Sequence, residues 1–424
     1  MLRVVHIPRG RSRGAQLPSS DMFTFTILIQ LWMIHTVWGD NGYSSLFGTS
    51  PRRNLNFIDL ANYDGYEAEQ HYVTTSDDYI LGVFRIPPNK ACRKTKGVIL
   101  FMHGLYFSSD DCLIPGPGKA HCYIYSDNCY DVWAPNARGN FYSRNHTTYN
   151  PDTDSDFWNF SVDEMAVKDL PVSIDYILNA TNNTQLSFVG HSQGASMLLI
   201  LCSKIPEYND KIKVGIGLSV TAWLDHAKLI VIHLQGILEP LLTVASRLGV
   251  NKEILPRGGF VHTSGSLLCG LTELSYPFCS VFVFALFGYN RYQITDDVLP
   301  VVAGHTPSGI SLKTFNRWGQ IRNNGFSEYN YGTSKNLLVY GQISPPLYDL
   351  SKITMKWVII GSLNDYVANL TDVQLLISKL PHAELCVLSD VTFGHLDYIH
   401  GKDIPNYITP TVMSTIETDA YNCA

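Results

Sequence analysis

"QLSFVGHSQGASMLLILCSKI", residues 185–205, is the stretch on which the reading of this chain turns. Its opening, "QLSFVG" (185–190), has the apolar, β-rich character of a buried strand, and "ASMLLILCSKI" (195–205) has the character of a helix. At the junction, "GHSQG" (190–194) sets Ser192 between two glycines. Glycine permits a tight turn and close backbone contact, whatever the serine does. The same G-x-S-x-G spacing on a strand-to-helix turn also holds a serine oxygen exposed for nucleophilic attack. Both readings fit the five residues; the flanking elements are those the second one requires.

Outward from this junction the pattern repeats. "HYVTTSDDYILGVFRIP" (71–87) reads as two β-rich runs about a Ser-Asp-Asp turn, a hairpin. "KGVILFMHG" (96–104) and "YDVWAPNARGN" (130–140) read as buried strands, the second stopped by Pro135 and Gly139. "SVDE" (161–164) is a capping box with Ser161 as N-cap, and Pro171 should kink or restart the helix that follows. Further strands are expected in "KVGIGLSVTA" (213–222), "MKWVIIGSLND" (355–365) and "AELCVLSD" (383–390). Strands alternating with helices predict an α/β fold, a mostly parallel sheet covered on both faces. Between residues 225 and 345 the alternation gives way to helical, strongly apolar stretches such as "AKLIVIHLQGILEPLLTVASRLG" (227–249). This segment is expected to be an inserted helical cap, with the sheet domain divided into residues 40–224 and 346–424.

The first 39 residues differ in kind. Arg3, Arg9, Arg11 and Arg13 precede the short apolar run "MFTFTILIQLWMIHTVWG" (22–39), with no acid in the first twenty residues. That order reads as a secretory signal peptide cleaved after Gly39, with Met22 an alternative start. The sequon Asn-x-Ser/Thr at Asn145, Asn179, Asn182 and Asn369 offers glycan sites, whereas Asn159, between Trp158 and Phe160, has a poor surface context. Nine cysteines, an odd number, leave at least one without an internal partner, and no CxxC motif suggests a metal site. A net charge of −6 without a long basic run argues against nucleic acid as the main partner.

A serine nucleophile needs a base, a carboxylate to orient that base, and donors for the oxyanion. Asp365, at the end of the strand "WVIIG", is the acid candidate; Asp372 is weaker because helix capping explains it. His395 in "TFGHLDY" (392–398) is a base candidate, with His382 and His400 alternatives that spacing leaves open. The backbone amides of Gln193, after the nucleophile, and Leu105, after "HG" at the end of an early strand, are the expected oxyanion donors.

These blocks resemble the acid lipase family of α/β-hydrolases, the gastric and lysosomal lipases and their insect relatives. The likeness runs through "DGYEAEQHYVTTSDDYIL" (64–81), "MHGL" (102–105), "DVWAPNARGNFYSRNH" (131–146), "FWNFSVDEMAVKDLP" (157–171), "GHSQG", "GHTPSGIS" (304–311), "LNDYVANLTDV" (363–373) and "GHLDYIHG" (394–401). The resemblance implies Ser192 as nucleophile, Asp365 as acid and His395 as base. It also implies Leu105 and Gln193 as amide donors, and a Cys269–Cys279 disulfide in the cap. The implied activity is hydrolysis of neutral-lipid esters at a lipid–water interface, without metal or cofactor, in a secreted or lysosomal setting. Transient contact with a membrane or droplet surface goes with it. A short-chain carboxylesterase on the same scaffold, or a non-catalytic lipid-binding homologue, are the alternatives. "GLSVTAW" (217–223) lacks the proline expected there, and tyrosine follows aspartate in "NDYVAN" where leucine is more usual; neither departure is expected to touch a catalytic group.

Overall fold

The computed structural model describes residues 50–228, 230–270, 290, 292–418, 420 and 423. The expected signal peptide, residues 1–39, lies outside the described residues.

Eight strands form one sheet: β1 (Glu69–Thr74), β2 (Ile80–Ile86), β3 (Gly97–Met102), β4 (Tyr130–Pro135), β5 (Leu186–His191), β6 (Ile212–Leu218), β7 (Trp357–Gly361) and β8 (Ala383–Val387). Their order is β1-β2-β4-β3-β5-β6-β7-β8. The β1–β2 hairpin is antiparallel, β2 joins β4 antiparallel, and every later pairing is parallel. Successive side chains of a strand point to opposite faces, and both faces here are covered. Leu100, Trp133 and Phe188 pack into one core layer, while their neighbours Ile99, Val132 and Val189 pack into the other.

The capping box forms as the sequence implies: the Ser161 side chain accepts a backbone N–H, and the Ser161 N–H donates to Glu164 Oε2 at 2.7 Å. After one wide turn over Met165–Asp169 the helix restarts as α1 (Leu170–Thr181), with Pro171 in its first two positions, where no intrahelical donor is needed. Helix α2 (Gln193–Lys204) follows β5 directly. The strand read over 213–222 stops earlier, at Leu218, because Ser219 takes a left-handed φ of 55° that a strand cannot continue through.

Between β6 and β7 the described chain is mainly helical: α3 (Ile230–Arg247), α4 (Phe260–Gly270), α5 (Leu299–His305), α6 (Leu312–Asn324) and α7 (Thr333–Tyr340). A two-residue ladder joins Glu253–Ile254 to Ile310–Ser311. The segment is tied to the sheet domain by charge. Asp110, fully buried, accepts from Arg257 Nη1 at 2.8 Å and lies 2.7 Å from His305 Nδ1. Along α3, Ile237, Leu241 and Val244 are exposed in one helical stripe, which Leu248 extends.

Disulfides join Cys92 to Cys129, Cys112 to Cys122 and Cys386 to Cys423, and the buried Cys202 is free, in keeping with the odd count. Cys269 is disulfide-bonded, and Cys279 lies outside the described residues. Asn145, Asn179 and Asn182 are exposed, while Asn369 is half-buried and caps the helix α8 (Leu370–Lys379). Asn159 departs from expectation: Trp158 and Phe160 turn inward, and the asparagine between them is exposed.

Candidate active site

Parallel strands bring the residues that follow their carboxyl ends to one edge of the sheet, and this chain places its reactive groups there. Ser192 follows β5, Ser219 follows β6, Asp365 follows β7, and His395 lies in the loop after β8.

Ser192 adopts φ 51° and ψ −120°, an unfavourable conformation for a residue with a side chain, held because β5 must turn at once into α2. The two glycines make this turn sterically feasible. A methyl on Gly194 would stand 2.4 Å from the Met102 carbonyl oxygen and 2.5 Å from that of His103. One on Gly190 would stand 2.6 Å from the Ala195 nitrogen. The glycines therefore serve both readings of the motif: close backbone packing is what holds the serine in its strained pose.

His395 Nε2 lies 3.0 Å from Ser192 Oγ, and its Nδ1 lies 3.0 Å from each carboxylate oxygen of Asp365. Asp365 Oδ1 also accepts the N–H groups of Val367 at 2.8 Å and Ala368 at 2.9 Å, which fix the carboxylate. Ser192, Asp365 and His395 are 6%, 1% and 3% exposed. The other candidates are engaged elsewhere. His400 pairs with Asp111 at 2.9 Å, and His382 precedes β8, at the opposite edge of the sheet. Asp372 accepts from the backbone and ring of His226; the cap of α8 is Asn369, so the capping explanation for Asp372 is corrected.

The two nominated amides flank the serine. Gln193 is the first residue of α2, where an N–H has no acceptor within the helix. The Gly104 backbone, immediately before Leu105, passes so close that a methyl on it would stand 3.3 Å from Ser192 Cβ. The Gln193 side chain, 2% exposed, accepts from Trp318 Nε1 of α6 at 2.7 Å.

Three neighbours of Ser192, Asp365 and His395 were not legible in the sequence. Ser219, fully buried, hydrogen-bonds through its hydroxyl to Asp365 Oδ2 and lies 2.5 Å from His395 Nδ1. The departure in "GLSVTAW" therefore does touch the site, contrary to expectation. His191 approaches the carbonyl oxygen of His395 with Nε2 at 3.0 Å; burial and the neighbouring His395 hold its pKa well below the usual imidazole value. Asp397 is pushed up to about 8 by burial, against the opposing hydrogen bonds from the Gly394 amide and Asn290.

A serine on a strained turn, an imidazole within hydrogen-bond reach and a buried carboxylate behind it, on this sheet, define an α/β-hydrolase. Comparison with known proteins agrees. Residues 57–115 match the partial alpha/beta-hydrolase lipase region, and residues 97–231 match the alpha/beta hydrolase fold. The chain is 32% identical over 403 residues to gastric triacylglycerol lipase of Rattus norvegicus, covering 93% of this chain and 100% of that one. It is 32% identical over 384 residues to lysosomal acid lipase/cholesteryl ester hydrolase of Homo sapiens, covering 89% and 94%. A crystal structure from Sulfolobus solfataricus shares the fold at a TM-score of 0.55 and 12% identity, over 83% of this chain and 94% of that one. The chain belongs to the acid lipase family of α/β-hydrolases.

Proposed function

We propose that this protein is a serine lipase that hydrolyses the carboxylic esters of neutral lipids, triacylglycerols or sterol esters, through an acyl-enzyme. The observation that carries the reading is the 3.0 Å approach of His395 Nε2 to Ser192 Oγ, with Asp365 behind the ring. Ser192 gives its proton to His395 as its oxygen attacks the ester carbonyl carbon. Asp365 holds the imidazole and balances the imidazolium, and the amides of Leu105 and Gln193 receive the oxyanion. Collapse expels the alcohol, which takes the proton from His395, and water then clears the acyl group by the same route. These steps use side chains, backbone amides and water alone.

Residues 225–345 are the cap in this reading. With Ser192 only 6% exposed, a long acyl chain reaches it when the cap moves aside. The exposed apolar stripe on α3 gives the cap a surface suited to lipid. The disulfides support a secretory route, to the lysosome or the cell exterior, and the exposed Asn145, Asn179 and Asn182 are glycan sites on it, with Asn369 at the cap of α8.

The test is hydrolysis of matched short- and long-chain glycerol esters at mildly acidic and neutral pH. Faster turnover of the emulsified long-chain ester supports the lipase. Preference for the soluble short ester would make the protein a carboxylesterase, and no turnover of either would overturn the reading.

A further inference from the structure

We infer that Ser219 is a positioning residue of the triad, a second hydroxyl that locks the Asp365–His395 pair from the side opposite the nucleophile. The inference rests on the serine-hydrolase reading above.

The placement follows from topology. β6 lies between β5, which delivers Ser192, and β7, which delivers Asp365. At its end, Leu218 accepts the Ser192 N–H at 2.9 Å, and the Ser219 N–H donates to the Ile360 carbonyl at 3.0 Å. The first residue past β6 is thus anchored to both neighbours. Its left-handed φ of 55° ends the strand at the edge where the triad assembles, and the hydroxyl meets Asp365 and His395 there.

The two carboxylate oxygens are unequally served. Oδ1 has the Val367 and Ala368 amides besides the imidazole. Oδ2 has the imidazole and the Ser219 hydroxyl. Donation by Ser219 satisfies the oxygen that backbone leaves out, so the carboxylate does not rotate away from the ring. The Ser219 oxygen in turn offers His395 Nδ1–H a second acceptor. In a dry site a charged oxygen short of one donor is costly.

Other titratable groups stand near this cluster. His191 is held neutral by burial, and Asp397, raised to about 8, is uncharged in the acid range. His400 is turned to Asp111, and the Tyr398 hydroxyl is buried and pushed up by burial.

The experiment compares Ser219→Ala and Ser219→Gly, which both remove the hydroxyl but differ at the backbone, since glycine accepts the positive φ without strain. Turnover of p-nitrophenyl butyrate is followed from pH 4 to pH 8, with melting curves alongside. Both variants are expected to lose roughly tenfold in kcat with KM unchanged, the size of one hydrogen bond to a charged group. Kinetics that instead follow the melting temperature, with alanine and glycine diverging, would reduce Ser219 to a turn residue. Ser192→Ala in the same assay separates the two levels. An active Ser192→Ala overturns the triad reading itself. An inactive one beside unchanged Ser219 variants overturns this inference alone.

Discussion

Gly194→Ala adds one methyl group at the tightest point of the elbow. That methyl would lie 2.4 Å and 2.5 Å from the carbonyl oxygens of Met102 and His103, about 1 Å inside ordinary van der Waals contact. Both oxygens belong to backbone, one in β3 and one just past it, so no side chain can rotate to relieve the clash. Helix α2 must back away instead, and it carries the Gln193 amide, while His103 leads into the Leu105 amide. Overpacking of this kind costs about 1–3 kcal/mol. A displacement near 1 Å between the two amides proposed to receive one oxyanion should cost on the order of 100-fold in rate. The assay is kcat on a soluble ester, with a melting curve for the same preparation. Gly265→Ala is the control: it lies in α4 with no atom within 4 Å of the added methyl, so it should be neutral or slightly stabilising. A Gly194→Ala enzyme with wild-type stability and turnover would refute the argument that close packing poises the serine.

Further outcomes follow from other contacts. Trp318→Phe removes the donor to Gln193 Oε1, leaves a buried acceptor unsatisfied and should cost about 1–3 kcal/mol, with kcat falling more than KM rises. Breaking Cys386–Cys423 by Cys→Ser substitution opens a link across 37 residues and should cost about 4 kcal/mol in denaturant unfolding. Asp397 binds its proton more tightly in the folded chain, with a pKa of about 8, than in the unfolded one. Its contribution to stability is therefore full below about pH 4 and is lost as pH rises through 8. Asp397→Asn should flatten the fall in melting temperature between pH 5 and pH 8; an unchanged slope would contradict the assignment. Peptide mapping of protein expressed through the secretory pathway should find glycans on Asn145, Asn179 and Asn182; bare asparagines at all three would contradict the proposed secretory route.

Much of the fold could be read because each parallel strand is a short apolar run with a helix behind it, as 185–205 illustrates. Ser192 and Asp365 could be nominated because each sits where such a run ends. His395 could not be separated from His382 and His400 by spacing, since the distinction is which end of β8 each occupies and what each already binds. Ser219 and Trp318 were illegible for a different reason. Their contacts with Asp365 and Gln193 are made across strand order and through the insertion, and neither leaves a periodic trace in the chain. Asn159 was misread because apolar neighbours were taken to bury it, whereas the short turn that ends at Trp158 points the three side chains in different directions.

The central claim is that Ser192 forms the bond to the acyl group. The most direct measurement is peptide mapping after reaction with an activated alkyl phosphonate ester, which phosphonylates an activated nucleophile with loss of its alcohol and stays attached. The account predicts one adduct per chain, on the peptide containing Ser192, in step with loss of ester hydrolysis. An adduct on another residue, or full activity with Ser192 modified, would contradict it.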